Sequence, residues 1–269
     1  MKPLVETDWL DKNLNNVKIF DATWHLPNQK KIASEEFKKK HIKGSMFFDI
    51  DEHSDKDSNL PHMMPKGYQW KKVISNFGVS NDDHVIVYDN SDVYSSCRLW
   101  FSFLYFGHNP NLVSVLNGGM KKWLAEERSL VTETKAPRES DYNVKELKNL
   151  IVNKELIDRN IERKTFDLVD ARSSERFLGK VQEPRKGLNS GSIPNSINLH
   201  YKKCLKEDNT FKDINDLKKI FSSMNLGNNL VFTCGSGVTA TIIGLVYSII
   251  YGKRPVIYDG SWSEYGLKK

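Results

Sequence analysis

Asn229-Leu230-Val231-Phe232-Thr233-Cys234-Gly235-Ser236-Gly237-Val238-Thr239-Ala240 reads as a short apolar strand, a glycine-bearing turn that begins at a cysteine, and the entry to a hydrophobic helix over 239–251. A continuous apolar run passing through a short loop into a helix is the unit from which parallel sheets covered on both faces are built. Gly235 and Gly237 let the loop curl so that successive backbone N–H groups converge on one point, and the helix behind it adds the positive end of its dipole. A thiol is a nucleophile only as its anion, and such a loop favours a thiolate or persulfide. The stretch therefore predicts an α/β fold and a sulfur nucleophile, Cys234.

Working outward, the second half of the chain replays the first. Phe20-Asp21-Ala22 recurs as Val169-Asp170-Ala171, His41-Ile42-Lys43-Gly44-Ser45 as Ser192-Ile193-Pro194-Asn195-Ser196, and Val85-Ile86-Val87-Tyr88-Asp89 as Leu230-Val231-Phe232-Thr233-Cys234. Leu116-Asn117-Gly118-Gly119 with Trp123 returns as Tyr258-Asp259-Gly260-Ser261 with Tyr265. The order is kept, which is the signature of a duplication. Apolar runs at 17–20, 84–88, 111–116, 166–169, 230–233 and 255–258 alternate with helical stretches such as 94–106 and 239–251. Each half is thus expected to be a parallel sheet flanked by helices. The apolar rhythm fails around 134–141, where Thr, Lys, Pro, Arg, Glu, Ser and Asp take over. The expected organisation is a first domain over 1–135, a linker over 136–150 and a second domain over 151–269. Asp89 holds the place of Cys234 in the first half, and Asp89-Asn90-Ser91-Asp92 lacks the glycines. Only the second half is expected to be catalytic, with the first shaping the cleft.

The 269 residues, 39% hydrophobic and 28% charged, suffice for two cores. Three cysteines, Cys97, Cys204 and Cys234, cannot all pair and form no metal-ligand spacing, so a reducing compartment and no metal are expected. The N-terminal Met1-Lys2-Pro3-Leu4-Val5-Glu6-Thr7-Asp8 lacks the apolar core of a signal peptide and reads as a cytoplasmic start. The longest apolar run, 242–251, is about half of what spans a bilayer, which argues against a membrane. A net charge of +6 comes from lysines scattered among acids, so no nucleic-acid partner is expected. A basic balance instead suits small anionic substrates.

Cys234-Gly235-Ser236-Gly237-Val238-Thr239, the stretches HIKGSMFFDID (41–51) and RFLGKVQEPR (176–185), Asn117-Gly118-Gly119 with Trp123, and YDGSWSEYG (258–266) resemble the tandem-domain rhodaneses. Within that family they are similar to the 3-mercaptopyruvate sulfurtransferase type, whereas thiosulfate-preferring relatives carry basic residues where this chain has Gly235 and Ser236. The resemblance covers nearly the whole chain. It implies that Cys234 carries sulfur as a persulfide, that Arg176 and Arg185 anchor the substrate, and that Asp51, His62 and Ser236 form a polar relay. The amides of Gly235, Ser236, Gly237, Val238 and Thr239 would hold the persulfide. No cofactor is implied, and the acceptor would be a thiol, a thioredoxin-like protein or cyanide. A monomer is expected, since the duplication already supplies a domain interface. Ser192 departs from the family, which usually has histidine before the Ile-Pro.

Other readings compete for the same residues. Gly235, Gly237 and Ala240 spell a GxGxxA dinucleotide fingerprint, with Asp259 ending the next strand; the cysteine before the first glycine and the lost glycines of the repeat speak against it. A cysteine phosphatase needs arginine six residues after its nucleophile, and here that residue is Ala240. Thiosulfate is the alternative donor, although its double charge favours a loop with fixed positive charge. Cys97 and Cys204 read as buried thiols, and Trp9, Trp24, Trp70, Trp100 and Trp123 as packing residues. Arg176 and Arg185 could instead pair with Glu175 and Glu183, and Asp259-Gly260-Ser261-Trp262 reads as a turn bracing the cysteine loop.

Overall fold

The structure is a computed structural model that describes residues 2–268. The first unit comprises β1 (Leu4–Val5), α1 (Thr7–Asn13), β2 (Lys18–Asp21), α2 (Ala33–Lys39), β3 (Ser45–Phe47), α3 (Gly67–Asn76), β4 (Val85–Tyr88), α4 (Ser96–Tyr105), β5 (Val113–Leu116) and α5 (Gly119–Ala125). The second comprises β6 (Ile151–Val152), α6 (Lys154–Arg163), β7 (Asp167–Asp170), α7 (Ser174–Phe177), β8 (Ile197–Asn198), α8 (Ile214–Ser222), β9 (Leu230–Thr233), α9 (Ala240–Tyr251), β10 (Val256–Tyr258) and α10 (Ser261–Tyr265). The ten elements of one unit match those of the other in type and order.

Each sheet has five strands, ordered β1-β5-β4-β2-β3 and β6-β10-β9-β7-β8, and every pairing is parallel. The register carries the repeat to single residues. Asp21 lies opposite Tyr88 in the first sheet, and Asp170 opposite Thr233 in the second. Asp89 and Cys234 are each the next residue on, so the two occupy equivalent places. The edge strands β1 and β6, two residues each, are too short to leave a hydrophobic pattern, and only their pairing to β5 and β10 defines them.

Burial explains why the central runs become strands. All four residues of β4 and all four of β9 are buried, as expected of strands covered on both faces. One face of the first sheet packs Leu10, Ile19, Ile86, Tyr88, Leu116 and Trp123 into a core, and the second has Ile157, Leu168, Val231, Tyr258 and Trp262 in the same role. Helix α9 is buried at every position from Ala240 to Val246. No described helix is long and apolar enough to cross a membrane. Trp24, Trp70, Trp100 and Trp123 are buried, whereas Trp9 is 37% exposed, its ring tilted against His84. The α1 face that enters the core is that of Leu10, which turns Trp9 outward.

The compact units are not continuous in sequence. The first gathers the chain up to Ser54 with Pro65–Leu147 and Lys206–Phe211, and the second gathers Asp55–Met64, Lys148–Leu205 and the chain from Lys212 onward. Much of the expected linker over 136–150 therefore belongs to the first unit. Tyr142 is fully buried there and its backbone N–H donates to Ser75 Oγ.

Candidate active site

In both sheets the chain leaves β2 or β7 toward one edge and β4 or β9 toward the other, so the order reverses between these neighbours. Ligands of open parallel sheets bind beyond the strand ends at such a reversal. In the second unit this places Cys234, which follows β9, beside Arg172, which follows β7.

The Cys234 loop is held from behind. Its carbonyls are taken by the turn after β10: Trp262 N donates to Cys234 O at 3.0 Å and Ser263 N to Gly235 O at 2.8 Å. The Ser261 hydroxyl accepts from Cys234 N at 3.2 Å and Gly237 N at 3.1 Å, and donates to Tyr258 O at 2.8 Å. Gly237 has φ +76°, a left-handed conformation that a side chain disfavours. With the carbonyls turned away, the N–H groups of Gly235, Ser236, Val238, Thr239 and Ala240 make no hydrogen bond to a described residue. These five amides stand at the N-terminus of the twelve-residue α9 and form a pre-organised anion site. Cys234 itself is buried, at 1% exposure.

His62 reaches this loop from the segment Asp55–Met64 of the second unit. Its Nδ1 lies 3.0 Å from Ser236 Oγ, with both side chains buried. His62 adopts φ +60°, an uncommon conformation for a residue with a Cβ. The next residues are fixed too, because Met64 N donates to Asp259 Oδ2 at 2.8 Å. Asp259, the acid a dinucleotide site would use for ribose, is thus engaged with backbone. Asp51 belongs to the first unit, where it accepts from Trp24 Nε1 at 2.7 Å.

Arg176 lies on α7, a single helical turn rather than the open loop its Gly- and Pro-containing surroundings suggest; the Ser173 side chain caps it by accepting from Arg176 N. Its Nε and Nη2 donate to Glu183 Oε1 and Oε2 at 3.2 and 2.5 Å. Nη2 also lies 3.0 Å from where a Cβ on Gly235 would stand. The guanidinium therefore rests against the cysteine loop, and glycine at 235 is what admits it. Arg185 is half-buried in the chain between α7 and β8.

The sequence reading missed Arg172. It is 0% exposed in its side chain, donates to Asp170 through Nε at 2.9 Å and Nη2 at 2.7 Å, and reaches Glu183 through Nη1 at 3.0 Å. Its Nη2 also donates to Gly191 O at 2.9 Å, and its guanidinium stacks 4.5 Å from the Trp262 ring. Two arginines and two carboxylates thus form a network of zero net charge. Asp-Ala-Arg at 170–172 is the signal that could have found it, since an arginine following a strand's last acid is placed to fold back on it.

Burial also governs the other two cysteines. It pushes the Cys204 thiol up to about 12, and it pushes Cys97 well above the usual thiol range, with nearby Asp89 adding to the effect. All three cysteines are unpaired. His200 is held below the ordinary histidine value by burial, then by Lys202 and Lys203.

The fold and this loop define the class: the rhodanese-like domain pattern matches residues 6–126 and 152–268, and the chain belongs to that family. Among its relatives, thiosulfate sulfurtransferase of Rattus norvegicus is 36% identical over 98% of this chain and 92% of its own length. The 3-mercaptopyruvate sulfurtransferase of Homo sapiens is 34% identical over 99% of this chain and 93% of its own. The crystal structure of SseA from Escherichia coli, described as a 3-mercaptopyruvate sulfotransferase, superposes with a TM-score of 0.87 at 30% identity, covering 98% of this chain and all of that one.

Proposed function

We propose that this chain is a sulfurtransferase that takes sulfur from 3-mercaptopyruvate onto Cys234 and delivers it to a thiol acceptor or cyanide, releasing pyruvate. The observation that carries the reading is the loop of five uncommitted amides behind Cys234, joined by the His62–Ser236 hydrogen bond.

The Cys234 thiolate attacks the substrate thiol sulfur; the S–C bond breaks as the new S–S bond forms, and its electron pair leaves on the enolate of pyruvate. A proton must then reach the enolate carbon. Ser236, in hydrogen-bond contact with His62, is placed to relay it; Asp51 enters the relay through the family resemblance alone. The persulfide rests as an anion on the amides of Gly235, Ser236, Val238, Thr239 and Ala240, the expected Gly237 amide being taken by Ser261 Oγ, until the acceptor removes its outer sulfur. Arg176 and Arg185 meet the donor's carboxylate, for which a guanidinium fork is suited. A reduced thioredoxin-like protein fits as acceptor, the chain would act as a monomer, and three unpaired cysteines suit the cytoplasm.

Relatives of nearly equal similarity bear the names of both donors, so the choice rests on charge. Gly235 and Ser236 bring no cation to the loop, and the charge of Arg176 is already matched by Glu183. A singly charged carboxylate donor fits this site better than doubly charged thiosulfate.

The test is turnover with each donor in the presence of a thiol acceptor, together with intact mass after donor alone. The reading expects one added sulfur atom and preference for 3-mercaptopyruvate. Preference for thiosulfate would overturn the donor assignment, and no sulfur uptake from either would overturn the enzyme itself. His62→Ala should slow 3-mercaptopyruvate far more than thiosulfate, whose sulfite leaving group needs less proton help.

A further inference from the structure

The atoms nearest to where a Cβ on Gly235 would stand all belong to the Arg176 guanidinium, and something has to hold that group against the loop. We infer that Glu183 is the positioning residue for substrate anchoring, acting through Arg176; this rests on the sulfurtransferase reading above. The Glu183 side chain is 1% exposed, yet Arg176 remains 26% exposed. A buried carboxylate thus grips the inner edge of the guanidinium, through Nε and Nη2, and leaves the rest of the fork available.

Glu183 is itself fixed. Its Oε1 also accepts from Arg172 Nη1 at 3.0 Å, and Arg172 is tied to Asp170 at the end of β7 and stacked on Trp262. Trp262 N in turn holds the carbonyl of Cys234. One chain of contacts therefore links the anchoring guanidinium to the backbone that bears the nucleophile. A flexible arginine at the mouth of a site would have to be ordered by each substrate; one clamped on a buried acid is ordered beforehand. An amide at 183 would keep the shape, but with its oxygen accepting from Arg172 Nη1 and Arg176 Nε its N–H would face Arg176 Nη2, so the clamp on that end of the fork would release.

Two alkylating agents of nearly equal size read this directly. Iodoacetate carries a carboxylate and iodoacetamide does not, so the ratio of their rates at Cys234 reports anchoring of a small carboxylate. Glu183→Gln is expected to lower that ratio about fivefold or more, and to raise KM for 3-mercaptopyruvate about tenfold while kcat falls less than about threefold. Glu183→Asp keeps the charge but draws it back by one carbon, and should recover most of the KM while still lowering the ratio about twofold. A purely structural role would change both alkylation rates and kcat together and leave the ratio in place. An unchanged ratio and KM in folded Glu183→Gln overturns the assignment. Should that variant not fold, the Glu183→Asp ratio decides, an unchanged value again overturning it. Absence of sulfur uptake by the unaltered protein would overturn the donor reading instead, leaving the alkylation ratio to judge Glu183.

Discussion

The two halves of this chain run the same backbone through the same ten elements and reach opposite chemical states at the end of the central strand. In the first half Asp89 supplies a carboxylate that accepts from Ser91 N and Ser96 N, both at 2.9 Å. Asn90 N donates to Thr23 Oγ1, and Val93 N to Ser91 Oγ. In the second half the residue at the place of Asp89 is Cys234, and the amides of Gly235, Ser236, Val238, Thr239 and Ala240 that follow it donate to no described residue. One loop carries its own anion; the other awaits one. Burial raises the carboxyl of Asp89 even so, which shows that the amides do not fully offset the loss of water.

The largest effect should come from exchanging those two residues. Cys234→Ser should lower turnover at least about a thousandfold with every donor, since nothing else in the second loop can form a persulfide. Adding Asp89→Cys to that variant should restore nothing, because Asn90 N and Val93 N stay engaged by Thr23 and Ser91 and the exchange releases only the amides of Ser91 and Ser96. Intact mass after incubation with donor measures both; sulfur uptake by the double variant would show that a loop's position matters more than its free amides.

A second contrast lies one strand over. Asp170 is neutralised by Arg172, whereas its counterpart Asp21 meets neutral donors, the hydroxyl and amide of Thr23 at 2.5 and 2.9 Å and the Tyr88 hydroxyl. Removing one partner of a buried ion pair strands the other, so Arg172→Met should destabilise the protein by about 3–5 kcal/mol. Thr23→Val removes a neutral partner and should cost about 1–2 kcal/mol. Urea denaturation followed by fluorescence, with circular dichroism as a second probe, compares them; equal losses would mean that the charge of Arg172 is incidental.

The same contrast predicts a pH dependence. Burial raises Asp21 from 3.8 to about 6. Between those values the folded state holds a proton that the unfolded state has released. The contribution of Asp21 is therefore fully present below about pH 4 and is lost as pH rises through about 6, by about 3 kcal/mol in total. Asp21→Asn should flatten that part of the stability profile. An unaltered slope between about pH 4 and 7 in the variant would place the titration elsewhere.

The duplication was legible because buried strands leave apolar runs, and strand order preserves their spacing; from it the equivalence of Asp89 and Cys234 followed. The loop's character was legible in Gly235 and Gly237. What escaped was whatever depends on side chains meeting across loops. Glu183 and Gly191 lie eleven and nineteen residues beyond Arg172 in sequence, with no periodicity to announce that Arg172 touches both. Glu183 could be named as a partner for Arg176, but not as buried or shared. The assignment of 55–64 to the second unit and of 206–211 to the first was equally silent, since tertiary packing, not local composition, decides it.

The smallest expected effect concerns the turn that braces each loop. Met120 N donates to Asp89 O at 2.9 Å as Trp262 N does to Cys234 O, and both preceding residues are left-handed, Gly119 at φ +55° and Ser261 at φ +49°. Glycine suits that conformation, whereas serine bears about 1 kcal/mol of strain there. At 119 glycine is required, because a Cβ would lie 2.6 Å from Asp89 O. At 261 the strain is offset by a hydroxyl that accepts from Cys234 N and Gly237 N. Ser261→Gly should thus relieve about 1 kcal/mol of strain and lose three hydrogen bonds of about 1 kcal/mol each, lowering stability by about 2 kcal/mol. Activity should fall as well, by about three- to tenfold, because the loop amides lose their common anchor. Kinetics alongside urea midpoints separates the two readouts; full activity in Ser261→Gly would show that the backbone bonds of Trp262 and Ser263 suffice to hold the loop.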